Sequence, residues 1–432
     1  MTRLSSRHIS QLHQYLVLHA VRRNEGPISR AEIGESTGLS QPAVSSLTRR
    51  LLENGALLEV GARPSAGGGR KERELSLNPD FAWVVGVNIS LYQLTVTLTD
   101  FSGQVRSTHS APLATPMRKA ALVKRLVNDV QACLAASGAA EISPKLAGVG
   151  VALPGFVDSL GDLVHGSAVF SMDKPLKGLS EAISQELGVP AFIENEANIR
   201  ALAEQWFGRT ARLSNTAVIT LEQGLGAGLM INGELYRGRA GLAGELGHVQ
   251  IVAGGRPCHC GKRGCLEAYV AHYAVVAQGQ EAGLLPRDDQ LPQDVEASYG
   301  ELARRARRGE KKARAIFERQ GQLLGTWIGN LVNLLALQLV IVDGGRLLAI
   351  ELLEAPLRAA LDEAMALPHR GQVPVQIDHE GGEAWARGAA ALVLQRLDES
   401  AEVLTAASRH GSVPAKPEAR KPRIPAARRA AV

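Results

Sequence analysis

Two histidines and three cysteines lie within an eighteen-residue stretch: His248, then Cys258, His259, Cys260 and Cys265. Thiolate and imidazole are ligand types that Zn2+ favours, and three of one with one of the other close a tetrahedral shell. A shell made wholly of protein ligands leaves no position for a water, so the expected metal is structural and not catalytic. His259 competes for the fourth place, although its position between two cysteines makes it sterically awkward. Buried thiols without metal are the plainer alternative. Cys133 stands alone in a helical stretch and reads as a core residue.

The elements holding these residues are bounded first by composition. A chain of 432 residues with 45% hydrophobic content can fill two or three cores. Its net charge of +5 is unevenly spread. Lys and Arg outnumber Asp and Glu by 11 to 8 in residues 1–80, fall behind by 30 to 34 in residues 81–408, and lead by 7 to 1 from residue 409 onward. Basic charge therefore sits at the two ends, where nucleic acid could use it. The opening MTRLSSRHIS has no apolar signal stretch, and no apolar run approaches the roughly 20 residues needed to span a bilayer. A cytoplasmic protein without membrane insertion is expected, and the clustered cysteines suit a reducing compartment.

Residues 1–80 read as a winged helix-turn-helix. Ile9, Leu12, Leu16, Val17 and Ala20 form one helical stripe, which Glu25-Gly26-Pro27 stops. Ser29 and Glu32 make a capping-box pattern opening a short helix that ends at Thr37-Gly38. Ser40 is placed to cap a third helix, with Val44, Leu47 and Leu51 inward and Asn54-Gly55 ending it. Its outward residues Gln41, Pro42, Ser45 and Ser46 suit base edges, and Arg49 and Arg50 suit phosphates. Leu57–Val60 and Glu74–Leu77 read as wing strands, with Arg70, Lys71 and Arg73 near a Gly-rich tip able to meet phosphates or a minor groove. A solvated linker is the alternative for the wing.

From Trp83, strand-like runs alternate with helical stretches, which is the rhythm of an α/β body. Two lobes around a cleft is the economical arrangement. Gly244-Glu245-Leu246-Gly247-His248 with the cysteine cluster, Gly148–Asp158 and Glu194-Asn195-Glu196-Ala197-Asn198 together resemble the ROK family (repressor, open reading frame, kinase). Members with an N-terminal winged helix include repressors of xylose and N-acetylglucosamine genes; the kinases lack that domain. The resemblance implies a two-lobed actin-like, sugar-kinase-like (ribonuclease H-like) body. A small lobe would span 81–193, completed by a helix near 383–397, and a large lobe 194–382. It also implies that Asn195, Glu245, His248 and Glu267 contact sugar hydroxyls, with Glu196 at the kinase base position.

Against the family's kinases, the sequence departs at both phosphate loops. Asn88-Ile89-Ser90-Leu91-Tyr92 stands where Asp-x-Gly-Gly-Thr would be. Glu222-Gln223-Gly224-Leu225-Gly226-Ala227-Gly228 keeps half the glycines but adds an acidic group where phosphate should approach. ATP is therefore not expected as a ligand, and no enzymatic activity is expected. Gly344-Gly345 reads as inherited scaffold. The basic stretch 301–320 reads as a solvated face, the apolar stretch Leu323 to Leu339 as a helix for core or subunit contact, and residues 409–432 as a disordered tail. The expected protein is a sugar-responsive repressor. Its partners are an operator in double-stranded DNA and a sugar or sugar phosphate between the lobes, and it forms a homodimer or homotetramer. A DNA-binding sugar kinase and a regulator governed by a protein partner are the alternatives.

Overall fold

The structure is a computed structural model and describes residues 6–64, 71–138, 145–286, 292–344, 349–378 and 382–400. Its N-terminal head comprises α1 (Ser6–Arg23), β1 (Ile28–Ser29), α2 (Arg30–Thr37), α3 (Gln41–Glu53), β2 (Leu57–Arg63) and β3 (Glu72–Leu77). The capping box is present: the Ser29 hydroxyl accepts from the Glu32 N–H, and the Glu32 carboxylate accepts from the Ser29 N–H at 2.8 Å. Gly38, at φ 71°, ends α2 in the left-handed region that glycine adopts at least cost. Ser40 occupies the N-cap of α3 but makes no side-chain cap, contrary to the sequence expectation. Pro42, in the first turn, has already removed one of the two amides such a cap would serve. The two-residue strand β1 pairs with β3 and makes the wing sheet three-stranded, β1-β3-β2. It is too short to leave a period in the sequence.

The body begins with β4 (Trp83–Ile89), β5 (Gln93–Asp100), β6 (Val105–Pro112), α4 (Lys119–Ala136) and β7 (Leu146–Leu153). The excursion β8 (Phe156–Asp158), β9 (Leu163–Gly166) and β10 (Leu176–Lys177) follows, then α5 (Leu179–Leu187) and β11 (Ala191–Asn195). Next come α6 (Glu196–Phe207), β12 (Thr216–Leu221), β13 (Leu225–Ile231), β14 (Glu234–Leu235), α7 (Glu267–Val270) and α8 (His272–Glu281). The remainder is α9 (Pro292–Arg307), α10 (Lys311–Leu335), β15 (Leu339–Asp343), α11 (Ile350–Ala364), β16 (Val375–Asp378) and α12 (Gly382–Asp398).

The two five-stranded sheets share one topology. Their orders are β6-β5-β4-β7-β11 and β14-β13-β12-β15-β16. In each, the first strand pairs antiparallel with the second and parallel with the fourth, and the fifth runs parallel beyond it. This repeated 3-2-1-4-5 order is the ribonuclease H-like architecture. Helix α12 crosses the first sheet so closely that a Cβ on Gly86 would lie 1.7 Å from the Ala386 carbonyl oxygen, and one on Gly150 1.9 Å from that of Ala389. Glycine in the strands facing alanine in the helix is what permits that approach.

The basic and apolar stretches between 301 and 339 divide differently from the sequence expectation. Helix α9 ends at Arg307, Gly309 breaks the chain at φ 91°, and α10 carries basic and apolar residues in one helix that stops at Ala336. Leu339 already belongs to β15. Arg304 and Arg305 pair with Glu301, and Arg307 pairs with Glu351, so these cations serve surface ion pairs. Among the described residues, no helix is long and apolar enough to cross a membrane. Cys133 is fully buried in α4. Arg70, Gly345 and residues 409–432 lie outside the described residues.

Candidate functional site

His248, Cys258, Cys260 and Cys265 each bring a ligand atom within 4.8 Å of the others. Cys258 Sγ lies 3.6 Å from His248 Nδ1, and Cys260 Sγ lies 3.7 Å from Cys265 Sγ. A regular tetrahedron built on ordinary Zn–S and Zn–N lengths has S···S edges of about 3.8 Å and S···N edges of about 3.6 Å, so the donor set fits such an ion. His259 is outside the cluster: exposed, it stacks on Tyr273 at 3.9 Å. Burial pushes the Cys258 and Cys265 thiols above their usual range and the His248 imidazole below its own.

The glycines of the Gly244–His248 segment have a packing reason. A Cβ at Gly244, whose φ is 82°, would meet the Ala227 carbonyl oxygen at 1.9 Å, and one at Gly247 would meet that of Leu225 at 2.3 Å. The segment thus lies with its backbone directly against β13. Glu245 reaches to 3.9 Å from His248 Nε2, and burial with the neighbouring Glu267 pushes its carboxyl up to about 7. The Phe156 ring, from β8, lies 5.0 Å from the His248 ring.

Asn195 ends β11 and caps α6: its Oδ1 accepts from the Ala197 and Asn198 amides, while its Nδ2 donates to the Gly155 carbonyl at 2.8 Å. Glu196 follows, partly open to solvent, with no ionic or hydrogen-bond partner among the described residues. Its desolvated carboxyl is pushed up to about 7. Burial and the nearby Glu196 do the same to Glu222. Glu267 is committed inward: one oxygen accepts from the Leu225 amide at 3.1 Å and the other lies 3.5 Å from Cys258 Sγ. It therefore joins the cysteine cluster to the start of β13.

Sequence reasoning missed two features here. His272 Nδ1 lies 2.8 Å from the Glu296 carboxylate, which also accepts from Gln223. Arg200, fully buried in α6, pairs with Asp343 and Asp378 at the ends of β15 and β16, and with Glu204 at 2.9 Å. Only the i,i+4 spacing of Arg200 and Glu204 was visible beforehand.

In the head, Gln41, Pro42, Ser46, Arg49 and Arg50 are exposed on α3, with Ser45 half-buried. Lys71 and Arg73 are exposed on the wing, where Arg73 pairs with Glu59. The core of this helix is formed instead by Val44, Leu47 and Leu51, all buried.

Comparison with known proteins agrees with this architecture. The chain is 26% identical to the xylose repressor of Caldicellulosiruptor bescii over 90% of its length and 97% of that protein. It is 30% identical to the N-acetylglucosamine repressor of Escherichia coli O157:H7 over 86% of its length and 90% of that protein. A crystal structure of a ROK family transcriptional regulator, described as a homologue of the E. coli MLC protein, superposes with a TM-score of 0.76 at 24% identity, covering 92% of this chain and 98% of the other. The MarR family model matches residues 10–71 and the ROK family model matches residues 84–396. A winged helix-turn-helix head thus precedes a duplicated ribonuclease H-like body, and the chain belongs to the ROK family.

Proposed function

We propose that this protein is a sugar-responsive, DNA-binding transcription regulator that represses carbohydrate genes, and that it is not a kinase. The observation that supports this reading is that Asn195 holds Gly155, whose neighbour Phe156 packs on His248 beside Glu245, in a chain whose head exposes Arg49 and Arg50 on α3; Glu196, next to Asn195, would complete the set. Carboxylates and an imidazole are suited to the several hydroxyls of one sugar. Two relatives matched over 90% or more of their own length carry the name repressor.

His248, Cys258, Cys260 and Cys265 would hold Zn2+, which supplies a cross-link between the Gly244–His248 segment and the loop before α7. Glu267, bonded inside that loop, acts by placing it. Gln41, Pro42, Ser45 and Ser46 would face bases, with Arg49, Arg50, Arg70, Lys71 and Arg73 on phosphates or in a minor groove. Palindromic operators require a symmetric pair of heads, so the working form is a homodimer or homotetramer.

Operator affinity at fixed salt, measured with D-xylose, D-glucose, N-acetylglucosamine and its 6-phosphate, tests the sensor. At least one should shift Kd by tenfold or so, within the usual range of about 5–150-fold for coupled sites. No shift with any of them overturns the sugar reading. Sugar-dependent ADP release from ATP and Mg2+ would overturn the non-catalytic one, which rests on Glu222 putting a carboxylate, and Leu91 and Tyr92 bulky side chains, at the positions of the kinases' phosphate loops.

A further inference from the structure

Helix α6 runs from the candidate ligand site to the underside of the head. Its N-cap Asn195 holds Gly155 beside the candidate ligand site. Midway, Arg200 ties it to the ends of β15 and β16. Helix α12 lies against it so closely that a Cβ on Gly388 would meet the Ile199 carbonyl oxygen at 2.5 Å. Its last turn carries Trp206 beneath α1 of the head. There the His19 ring lies 5.4 Å from that of Trp206, and the Arg22 guanidinium sits 5.0 Å from the Phe101 ring and 5.2 Å from the Trp206 ring. Arg22 also bonds both oxygens of Asp398, at 3.0 and 3.2 Å, and donates to the Phe101 carbonyl. Their side chains are 2% and 0% exposed, so water cannot substitute for these bonds. The head is therefore seated on the body, and its core residues Val17, Leu18 and Val21 belong to the same apolar cluster as Trp206 and Leu394.

Twelve helical residues span about 18 Å. The segment EANIRALAEQWF contains neither glycine nor proline to absorb a displacement as a kink. A shift at the Asn195 end must reach Trp206, and interlocked side chains there change seat in steps and not by gradual deformation. We propose that α6 is the coupling element of this protein, with Trp206, Arg22 and Asp398 as positioning residues that convert events at Asn195 into a change in how the head is held. The inference rests on the ligand-site reading above, but one arm of its test does not need a sugar.

In the full-length protein, operator Kd is measured for wild type, Asn195→Ala, Trp206→Ala and the double variant, with folding of each checked by circular dichroism. Transmission through α6 predicts that the effect of Asn195→Ala largely disappears in the Trp206→Ala background, an interaction factor of about fivefold or more. Effects that multiply within about twofold overturn the proposal. If Trp206→Ala does not fold, Arg22→Lys and Asp398→Asn break the same seat and enter the same cycle, while Trp206→Phe should restore most of the wild-type coupling. In the second arm, whichever of D-xylose or N-acetylglucosamine shifts the wild type should still bind the Trp206 variant within about threefold by calorimetry but no longer shift its operator Kd. A retained shift overturns the proposal. If neither acts on the wild type, D-glucose and N-acetylglucosamine 6-phosphate take their place in this arm; if none of the four acts, the sugar reading fails and the mutant cycle still decides the coupling.

Discussion

Cys260→Ser removes one of four donors whose separations fit a single tetrahedral ion. Metal analysis should find about one Zn2+ per chain in the wild type and none in the variant, with a stability loss of at least about 3 kcal/mol because metal binding and folding of such loops are one event. Retained metal and stability would show that the cluster is not a metal centre. Glu196 gives a test of opposite character. Burial raises its carboxyl from 4.5 to about 7, so the folded protein takes up the proton more readily than the unfolded chain does. Its contribution is therefore favourable below the unfolded value and is lost as pH rises from about 4.5 to about 7. Glu196→Gln should leave stability unchanged near pH 4 and raise it by about 1–3 kcal/mol at pH 8. Denaturant melts across that range check the sign, and an equal effect at both pH values contradicts the assignment. At this scale the cluster was legible because its cysteines are close in sequence and their chemistry is narrow. The inward commitment of Glu267 was not, since its partner Leu225 lies 42 residues away and nothing local selects it.

The elements were legible where signals are local. The capping box of α2, its glycine stop and the amphipathic stripe of α3 lie within single turns. The strand β1 and the break at Gly309 depended on pairing and on packing between α9, α10 and α11, which no short window contains. Two predictions belong to elements. Arg49→Ala on the exposed face of α3 should weaken all operators by a similar factor and lower the salt slope of log Kd by about 1, as expected for one lost phosphate contact. Loss of preference at a single base position would instead make Arg49 a base reader. Gly150→Val would force α12 off the first sheet, where even a Cβ lies 1.9 Å from the Ala389 carbonyl oxygen. A loss of more than about 3 kcal/mol in denaturant unfolding is expected, beyond ordinary overpacking because backbone must move.

For the whole molecule, the decisive feature is that the head has no separate core boundary: Phe101, Trp206 and Leu394 continue the cluster begun by Leu18 and Leu51. Sequence reading could divide the chain at residue 80 but had no means of seeing this seat, because its bonds to Asp398 join residues more than 370 positions apart. Arg22→Ala leaves Asp398 buried without its counter-charge, an expected cost of about 3–5 kcal/mol. Scanning calorimetry should then resolve an early transition of the head ahead of the body. A single unchanged transition would mean that the seat contributes little.

The span between Gln14 and the Asp398 carbonyl also sets an order of events during synthesis. Their hydrogen bond joins residues 384 positions apart, so at ordinary ribosomal speeds about 20–80 s separate the emergence of one from that of the other. Throughout that interval the head lacks Asp398 and Leu394, and with them one wall of its seat. A nascent chain, or one cut short before α12, would carry a recognition helix loose on its tether and deaf to the body. Only a chain translated past residue 398 can place its DNA reader under control.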